Sequence, residues 1–292
     1  MGQLLTQIPL SLPLIGAYAI FAIGIVVIFR ASKVLNIAHG AMAMIPAYLT
    51  YEMTKRGIPM SIAFFFGVLS GGLLGLFVER VFVRPLRSVS VTAQTVGTVA
   101  ALGLMVSLAG KIWGTGTIAA PAVFPDQTYQ IGTSTLRLGQ IGLFVVMLVV
   151  AAGLTALLQM TDIGLAMRGA ADNRRAAALM GVDPDLATSG AWILGGATAA
   201  IAGILLASVT NLNPLTLSLQ AIPAFVAALI GGLGSLSGAV VGAAIVGLLT
   251  GIVPGYLNNV QGIEQLVPTV VALFVMAMRG ERYVASDIRS EL

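Results

Sequence analysis

Residues 186–263 read LATSGAWILGGATAAIAGILLASVTNLNPLTLSLQAIPAFVAALIGGLGSLSGAVVGAAIVGLLTGIVPGYLNNVQGI, 78 consecutive positions without one Asp, Glu, Lys, Arg or His. A domain surrounded by water needs charges on its loops and outward helix faces to stay solvated, so an ordinary soluble fold is excluded. A bilayer's hydrocarbon core takes roughly 20 apolar residues per helical crossing, so this stretch alone holds about three or four crossings. Charge returns just upstream, in residues 162–185, the one long polar insertion of the C-terminal half.

The rest of the 292 residues agrees: 58% are apolar, only 9% are charged, and mean hydropathy is +0.98. A soluble protein carries roughly 25% charged residues. The 35 glycines suit close helix packing in lipid. With no cysteine, disulfides, thiolate metal sites and cysteine nucleophiles are excluded. A single histidine, His39, excludes a multi-histidine zinc or haem site, and no cofactor or metal is expected. The pI near 9.7 reads as basic residues held at one face of a bilayer rather than as a nucleic-acid footprint.

Uncharged apolar windows fall near 9–29, 34–51, 60–78, 92–110, 139–160, 187–209, 214–232, 236–253 and 265–278. Residues 1–29 carry no cation, so the basic start of a cleavable signal is missing and the first window reads as a retained membrane helix. Alternating nine crossings from an outside N-terminus leaves Arg30, Lys33, Arg80, Arg84, Arg87, Arg168, Arg174, Arg175, Arg279, Arg282 and Arg289 inside. Lys55, Arg56, Lys111 and Arg137 remain outside. That asymmetry fits the positive-inside rule and predicts an outside N-terminus and a cytoplasmic C-terminus. The expected fold is an all-α integral-membrane bundle of about eight or nine segments, some broken or re-entrant, forming one domain over residues 1–292.

Two polar stretches interrupt it. Residues 113–137, WGTGTIAAPAVFPDQTYQIGTSTLR, predict an extracellular loop holding a short hairpin or a surface helix. Residues 161–185, TDIGLAMRGAADNRRAAALMGVDPD, predict one short amphipathic helix from Leu165 to Met180, stopped by Gly181 and restarted by Asp183-Pro184. Its Arg168, Arg174 and Arg175 are expected to face water or a partner.

Three segments carry a further signal: GIVVIFRASKVLNIAHGAMAMIPAY (24–48), GLAMRGAADNRRAAALMGVDPD (164–185) and GGLGSLSGAVVGAAIVGL (231–248). In order and spacing they resemble the permease subunits of branched-chain amino-acid ABC importers, and the resemblance runs over most of the chain. It implies a subunit of the cell (inner) membrane that pairs with a second permease, two cytoplasmic ATPase subunits and an extracytoplasmic solute-binding protein. Close relatives of that family handle urea or short amides, and more distant ones handle sugars.

One part of this is independent of resemblance. A P-loop ends in Lys-Ser/Thr, whereas the three lysines here precede Val34, Arg56 and Ile112. ATP would have to be bound by another chain, and the loop 164–184 is the best place for that chain to dock. Arg175-Ala176-Ala177 followed by Gly181 resembles the Glu-Ala-Ala loop and trailing glycine of many importer permeases. Arg175 stands where the glutamate would be, so that residue's contact does not carry over. The expected coupling set is Arg168, Arg174, Arg175, Ala176, Ala177 and Gly181; the competing reading is a basic loop on lipid headgroups.

Asn36, His39 and Gly40 sit inside a span, where polar groups face the bundle interior or a water path and a glycine permits a break. They are candidates for the translocation path; the alternative is that Asn36 and His39 cap or bond a kinked helix. Gly234, Ser235 and Gly238 are candidates for a re-entrant turn bordering that path, against a plain packing role for the small residues. Glu79 with Arg80 and Arg84 reads as an interfacial ion pair of small value, and Glu264 as a carboxylate at a helix start. A stand-alone channel or secondary transporter is the rival class, although no carboxylate lies at any span centre. An intramembrane enzyme would need paired carboxylates, a metal cluster or a nucleophile-base pair, none of which the motifs provide.

Overall fold

The computed structural model describes residues 2–124, 127–131, 134–256, 263, 266–275 and 277. Glu264, Arg279, Arg282 and Arg289 lie outside them. The chain is a polytopic helical bundle, and seven of its described helical stretches are long and apolar enough to cross a bilayer. The windows 34–51 and 265–278 yield shorter helices, His39–Lys55 of 17 residues and Leu266–Val275.

Helix α1 (Gly2–Ser32) runs through the centre, packed by α5 (Leu138–Met160), α8 (Pro184–Thr210), α10 (Ala221–Gly231) and α11 (Leu236–Tyr256). Its most apolar window is 78% buried, against 28% for α4 (Val91–Trp113) and α5, which separates a core helix from two peripheral ones. A helix apolar on every face has no side to offer water, and residues 17–28 of α1 are accordingly enclosed. Between α1 and α4 come α2 (His39–Lys55) and α3 (Met60–Val78). Helix α3 does not stop at its last α-turn but continues through a π-turn, Glu79–Val83, and a 3-10 turn, Arg84–Leu86.

Glycine governs how these helices meet. Gly67, Gly71 and Gly75 lie four residues apart on one face of α3, and all three are buried. A Cβ on Gly75 would stand 2.0 Å from the Trp192 carbonyl oxygen of α8, and one on Gly196 would stand 2.1 Å from that of Gly71. Backbone therefore touches backbone along the α3–α8 seam, as small-xxx-small packing allows in lipid. The α10–α11 pair repeats the device: a Cβ on Gly238 would lie 2.3 Å from the Gly231 oxygen, and one on Gly242 would lie 2.1 Å from that of Ala227.

Residues 113–137 hold a two-stranded antiparallel hairpin, β1 (Thr128–Ile131) with β2 (Ser134–Arg137). The preceding loop is tied to the turn after α8, where Ile118 and Leu212 exchange backbone hydrogen bonds of 2.9 and 2.8 Å. At the other end of α8, the single helix expected over 165–180 is two: α6 (Asp162–Asp172) and α7 (Arg174–Leu179). Asn173 is the reason. Its backbone is extended (φ −149°, ψ 101°) and its side chain accepts the Ala176 N–H, making it the N-cap of a new helix. Helix α9 (Pro214–Leu219), capped by Asn213, precedes α10, and Leu266–Val275 forms α12.

Candidate functional site

Two places concentrate the polar groups. The first is the connection from α1 to α2. Lys33 takes a left-handed turn (φ 59°), and residues 33–38 then run back along the bundle instead of leaving it. The rings of Phe21 and His39 lie 5.9 Å apart, edge to face. Phe21 precedes Ser32 by eleven residues of α1, about 16 Å of helix. Helix α2 therefore starts deep alongside α1, and non-helical backbone spans the intervening depth.

Backbone without helical partners inside a bilayer needs others, because each unsatisfied group costs several kcal/mol. Thr98 of α4 supplies them. Its buried hydroxyl accepts the Ile37 N–H at 3.0 Å and shares its one proton between the carbonyls of Leu35 (3.2 Å) and Thr95 (2.7 Å). The Asn36 amide donates to the Met42 sulfur at 3.2 Å, while its oxygen has no partner. Neither His39 nitrogen meets hydrogen-bond geometry, although the Phe21 carbonyl lies beside the ring. Neither side chain caps α2, whose N-cap Ala38 offers none. Gly40 lets α2 approach α9: a Cβ there would fall 1.8 Å from the Ser218 oxygen. Asn36, His39 and Gly40 are thus brought together in the interior, at the meeting of α1, α2, α4 and α9.

Gly234, Ser235 and Gly238 are elsewhere, at the α10–α11 turn. Ser235 caps α11 by accepting the Gly238 N–H at 3.0 Å, and its hydroxyl lies 3.3 Å from that of Ser237. Gly238 packs on Gly231, whereas Gly234 has open space around it.

The second place is the charged end formed by α6, α7 and the start of α8. Thr161 caps α6 through the Gly164 N–H, and Asp183 caps α8 through the N–H groups of Asp185 (2.8 Å) and Leu186 (3.2 Å), with Pro184 at the first helical position. Helix α7 ends in a Schellman turn. The Val182 N–H reaches the Ala177 carbonyl (3.0 Å), the Gly181 N–H reaches that of Ala178 (3.1 Å), and Gly181 adopts φ +83°. This presents Leu179 and Met180 outward, 88% and 85% exposed, and Arg175 and Ala176 are exposed with them. Ala177 is buried against the bundle. Arg168 donates to the Leu158 carbonyl at the end of α5, a favourable place for a cation. Arg174, half exposed, reaches along the surface to Asp185 and, at 3.2 Å, to the Thr188 hydroxyl.

Asp185 leads to a cluster that sequence reasoning missed. Glu79 is fully enclosed and pairs with Arg84 (3.2 Å), one of the two arginines expected beside it, and with Arg87 (2.6 Å), which was not expected; Arg80, the other expected residue, is exposed. Ser189 of α8 donates to the other Glu79 oxygen at 3.1 Å. Arg87 simultaneously holds Asp185 at 2.7 Å. The expected weak interfacial pair is therefore part of a partly exposed network around the buried Glu79, linking the π-turn after α3 to the first turns of α8. Residues 79 and 189 are too far apart in sequence for any local pattern to connect them. Among the described residues no group of three or more His, Asp or Glu side chains is placed to hold a metal ion.

Comparison with known proteins fits this architecture. A family model described as "Branched-chain amino acid transport system / permease component" matches residues 10–276. The high-affinity branched-chain amino acid transport system permease protein LivH of Salmonella typhimurium is 26% identical over 260 residues, covering 83% of each chain. BraD of Pseudomonas aeruginosa, which carries the same description, is 28% identical over 276 residues, 88% of this chain and 87% of its own. The autoinducer 2 import system permease protein LsrC of Yersinia enterocolitica is 28% identical over 233 residues, 77% of this chain and 61% of its own. Among solved structures, PsaBC from Streptococcus pneumoniae in complex with Fab superposes with a TM-score of 0.50 at 15% identity, covering 91% of this chain and 90% of the other, a likeness of fold. With a helical bundle of membrane length and a family match from residue 10 to residue 276, this chain belongs to the branched-chain amino acid transport system permease family.

Proposed function

We propose that this chain is a permease subunit of an ATP-driven importer for branched-chain amino acids. It forms part of the translocation path with a second permease subunit, receives substrate from an extracytoplasmic solute-binding protein, and is driven by two cytoplasmic ATPase subunits. The N-terminus lies outside and the C-terminus in the cytoplasm, with α2 and α12 as further, partial crossings and α6–α7 as the coupling segment. The relatives named for branched-chain amino-acid transport support the substrate class.

The observation that carries the coupling assignment is the presentation of α7. A capped, Schellman-ended helix offers Arg175, Ala176, Leu179 and Met180 outward while its other face rests on the bundle. Exposed small and apolar residues beside a cation suit a groove on a partner protein, and the chain has no P-loop of its own. The break at 33–38, with Asn36 and His39 inside the bundle, fits a transporter's use of unwound backbone near the path.

The test is labelled-leucine uptake in cells lacking only this chain, with and without the gene restored, and with excess unlabelled urea as competitor. Restored, energy-dependent uptake that urea leaves untouched is the expected result; uptake unaffected by the deletion sinks the substrate assignment. Gly181→Asp is expected to insert normally and abolish energy-coupled uptake, and normal uptake by that variant overturns the docking role of α7.

A further inference from the structure

The cluster around Glu79 has a chemistry that an ordinary surface pair does not need. Its members form one continuous series across the fold: Arg174 on α7, Asp185 on the first turn of α8, Arg87 after the 3-10 turn, and Glu79 on the π-turn that ends α3. Ser189, one helical turn beyond Asp185, closes the loop back to Glu79. Arg87 bridges the enclosed Glu79 to Asp185, and the Ser189 hydroxyl bonds Glu79 directly, so the π-turn and the start of α8 are tied at two points and move together. Helix α7 packs otherwise on α6 and on the same first turns of α8. Displacement of α7 thus has a short, directional route into the bundle. Beyond the cluster the route continues along the glycine seam, where α3 and α8 touch backbone to backbone. A π-turn at the junction fits a site under functional rather than purely structural demand.

We propose that Glu79, Arg87 and Asp185 are positioning residues that transmit movement of the α6–α7 segment to the α3–α8 pair. They touch neither solute nor nucleotide and act through the geometry of α7. This rests on the reading of α6–α7 as the ATPase-coupling segment, which it deepens by naming the linkage behind it.

The experiment uses the complete importer reconstituted in liposomes, with ATP hydrolysis and solute uptake measured on the same preparation. Asp185→Asn is the first variant, because Asp185 is about half exposed and its loss is compatible with folding. Solute moved per ATP is expected to fall about fivefold to tenfold, while hydrolysis stays within about twofold of wild type. Arg174→Ala, also half exposed, is expected to lower the same ratio, and the double variant is expected to do no worse than Asp185→Asn alone. Glu52→Gln removes a carboxylate outside the cluster and is expected to leave the ratio alone. An unchanged ratio in Asp185→Asn, or uptake and hydrolysis falling in parallel, overturns the proposal, since the second result marks a purely structural role. If the wild-type complex couples no hydrolysis to uptake, it is the importer reading that fails.

Discussion

The α3–α8 seam makes a prediction whose sign depends on where a glycine sits. Replacing Gly75 by Ala puts a methyl 2.0 Å from the Trp192 oxygen and 2.9 Å from its carbonyl carbon, where ordinary contact begins at 3.4 Å. Both obstacles are backbone, so no rotamer change relieves them and the helices must part by about 1 Å or more. Overpacking costs about 1–3 kcal/mol, and the parted seam also loses dispersion contacts around Gly71 and Gly196. Lipid is as apolar as the helices, so no hydrophobic term opposes separation. The better helix propensity of Ala returns at most about 1 kcal/mol, which with the lost dispersion leaves a net loss of about 1–2 kcal/mol, or roughly 5- to 30-fold in the unfolding equilibrium. Gly103 on α4 has nothing within 4 Å of its Cβ position, so Gly103→Ala keeps the propensity gain without the clash. Thermal unfolding in a fixed detergent, followed by circular dichroism and by retention of the monodisperse peak, measures both. Gly75→Ala and Gly196→Ala are expected to lower the midpoint, less than additively when combined, because the first substitution already opens the space the second needs. Gly103→Ala is expected to hold or raise it. A Gly75→Ala midpoint at or above wild type refutes the close-approach argument, as does an equal fall in all three variants.

Thr98→Val keeps the side chain's shape and strips the partners from Ile37 N–H and the Leu35 carbonyl, at about 1–3 kcal/mol. Because the chain has no cysteine, a Leu35→Cys reporter labels without background, and its labelling rate is expected to rise in the Thr98→Val form. Glu79→Gln leaves Arg84 and Arg87 facing a neutral amide; both are partly exposed (side chains 34% and 25%), so about 2–3 kcal/mol is expected in chemical denaturation rather than the 3–5 kcal/mol of a fully buried pair. Arg80→Ala, outside the cluster, is expected to stay within about 0.5 kcal/mol of wild type in the same assay. Gly181→Ala forces a left-handed conformation on a residue with a Cβ and is expected to cost about 1 kcal/mol, read as faster hydrogen exchange at α7; Gly181→Asn is expected to lose less.

How much of this was legible follows from what lipid does to a sequence. Apolar length survives translation into structure: the charge-free stretch 186–263 became α8, α9, α10 and α11, and Asp183-Pro184 reads directly as a cap and a first helical residue. Amphipathic contrast does not survive, because lipid-facing and core-facing positions are equally apolar. Leu69 and Leu73 are exposed on α3 while Gly71 and Gly75 beside them are buried, and hydropathy alone does not separate these faces. The four-residue spacing of Gly67, Gly71 and Gly75 is the readable signal there. Asn36, His39 and Gly40 were legible as polar or small residues in an apolar run. Their arrangement was not, since it rests on Thr98, some sixty residues later. Asn173 was hidden for a local reason: its neighbours Asp172 and Arg174 continue a helical pattern, and only its side-chain bond to Ala176 shows that it starts a new helix.

The glycine seam and the charged cluster answer one physical problem in two ways. Two helices in lipid gain nothing by hiding apolar surface from each other, so α3 and α8 are held by backbone contact over glycine, which is close but carries little directional preference. At the bundle end charges become affordable through partial exposure, and there Glu79, Arg84, Arg87, Ser189 and Asp185 fix the rotation and register of the same two helices. Packing without the cluster would permit α8 to slide on α3, and the cluster without packing would leave α3 and α8 joined only at one end. Because Arg174 extends the cluster to α7, the register of α8 on α3 and the position of the outermost short helix are set by the same carboxylate, Asp185. A substitution at Asp185 should consequently disturb both together, whereas one at Gly75 should loosen the seam and leave α7 in place.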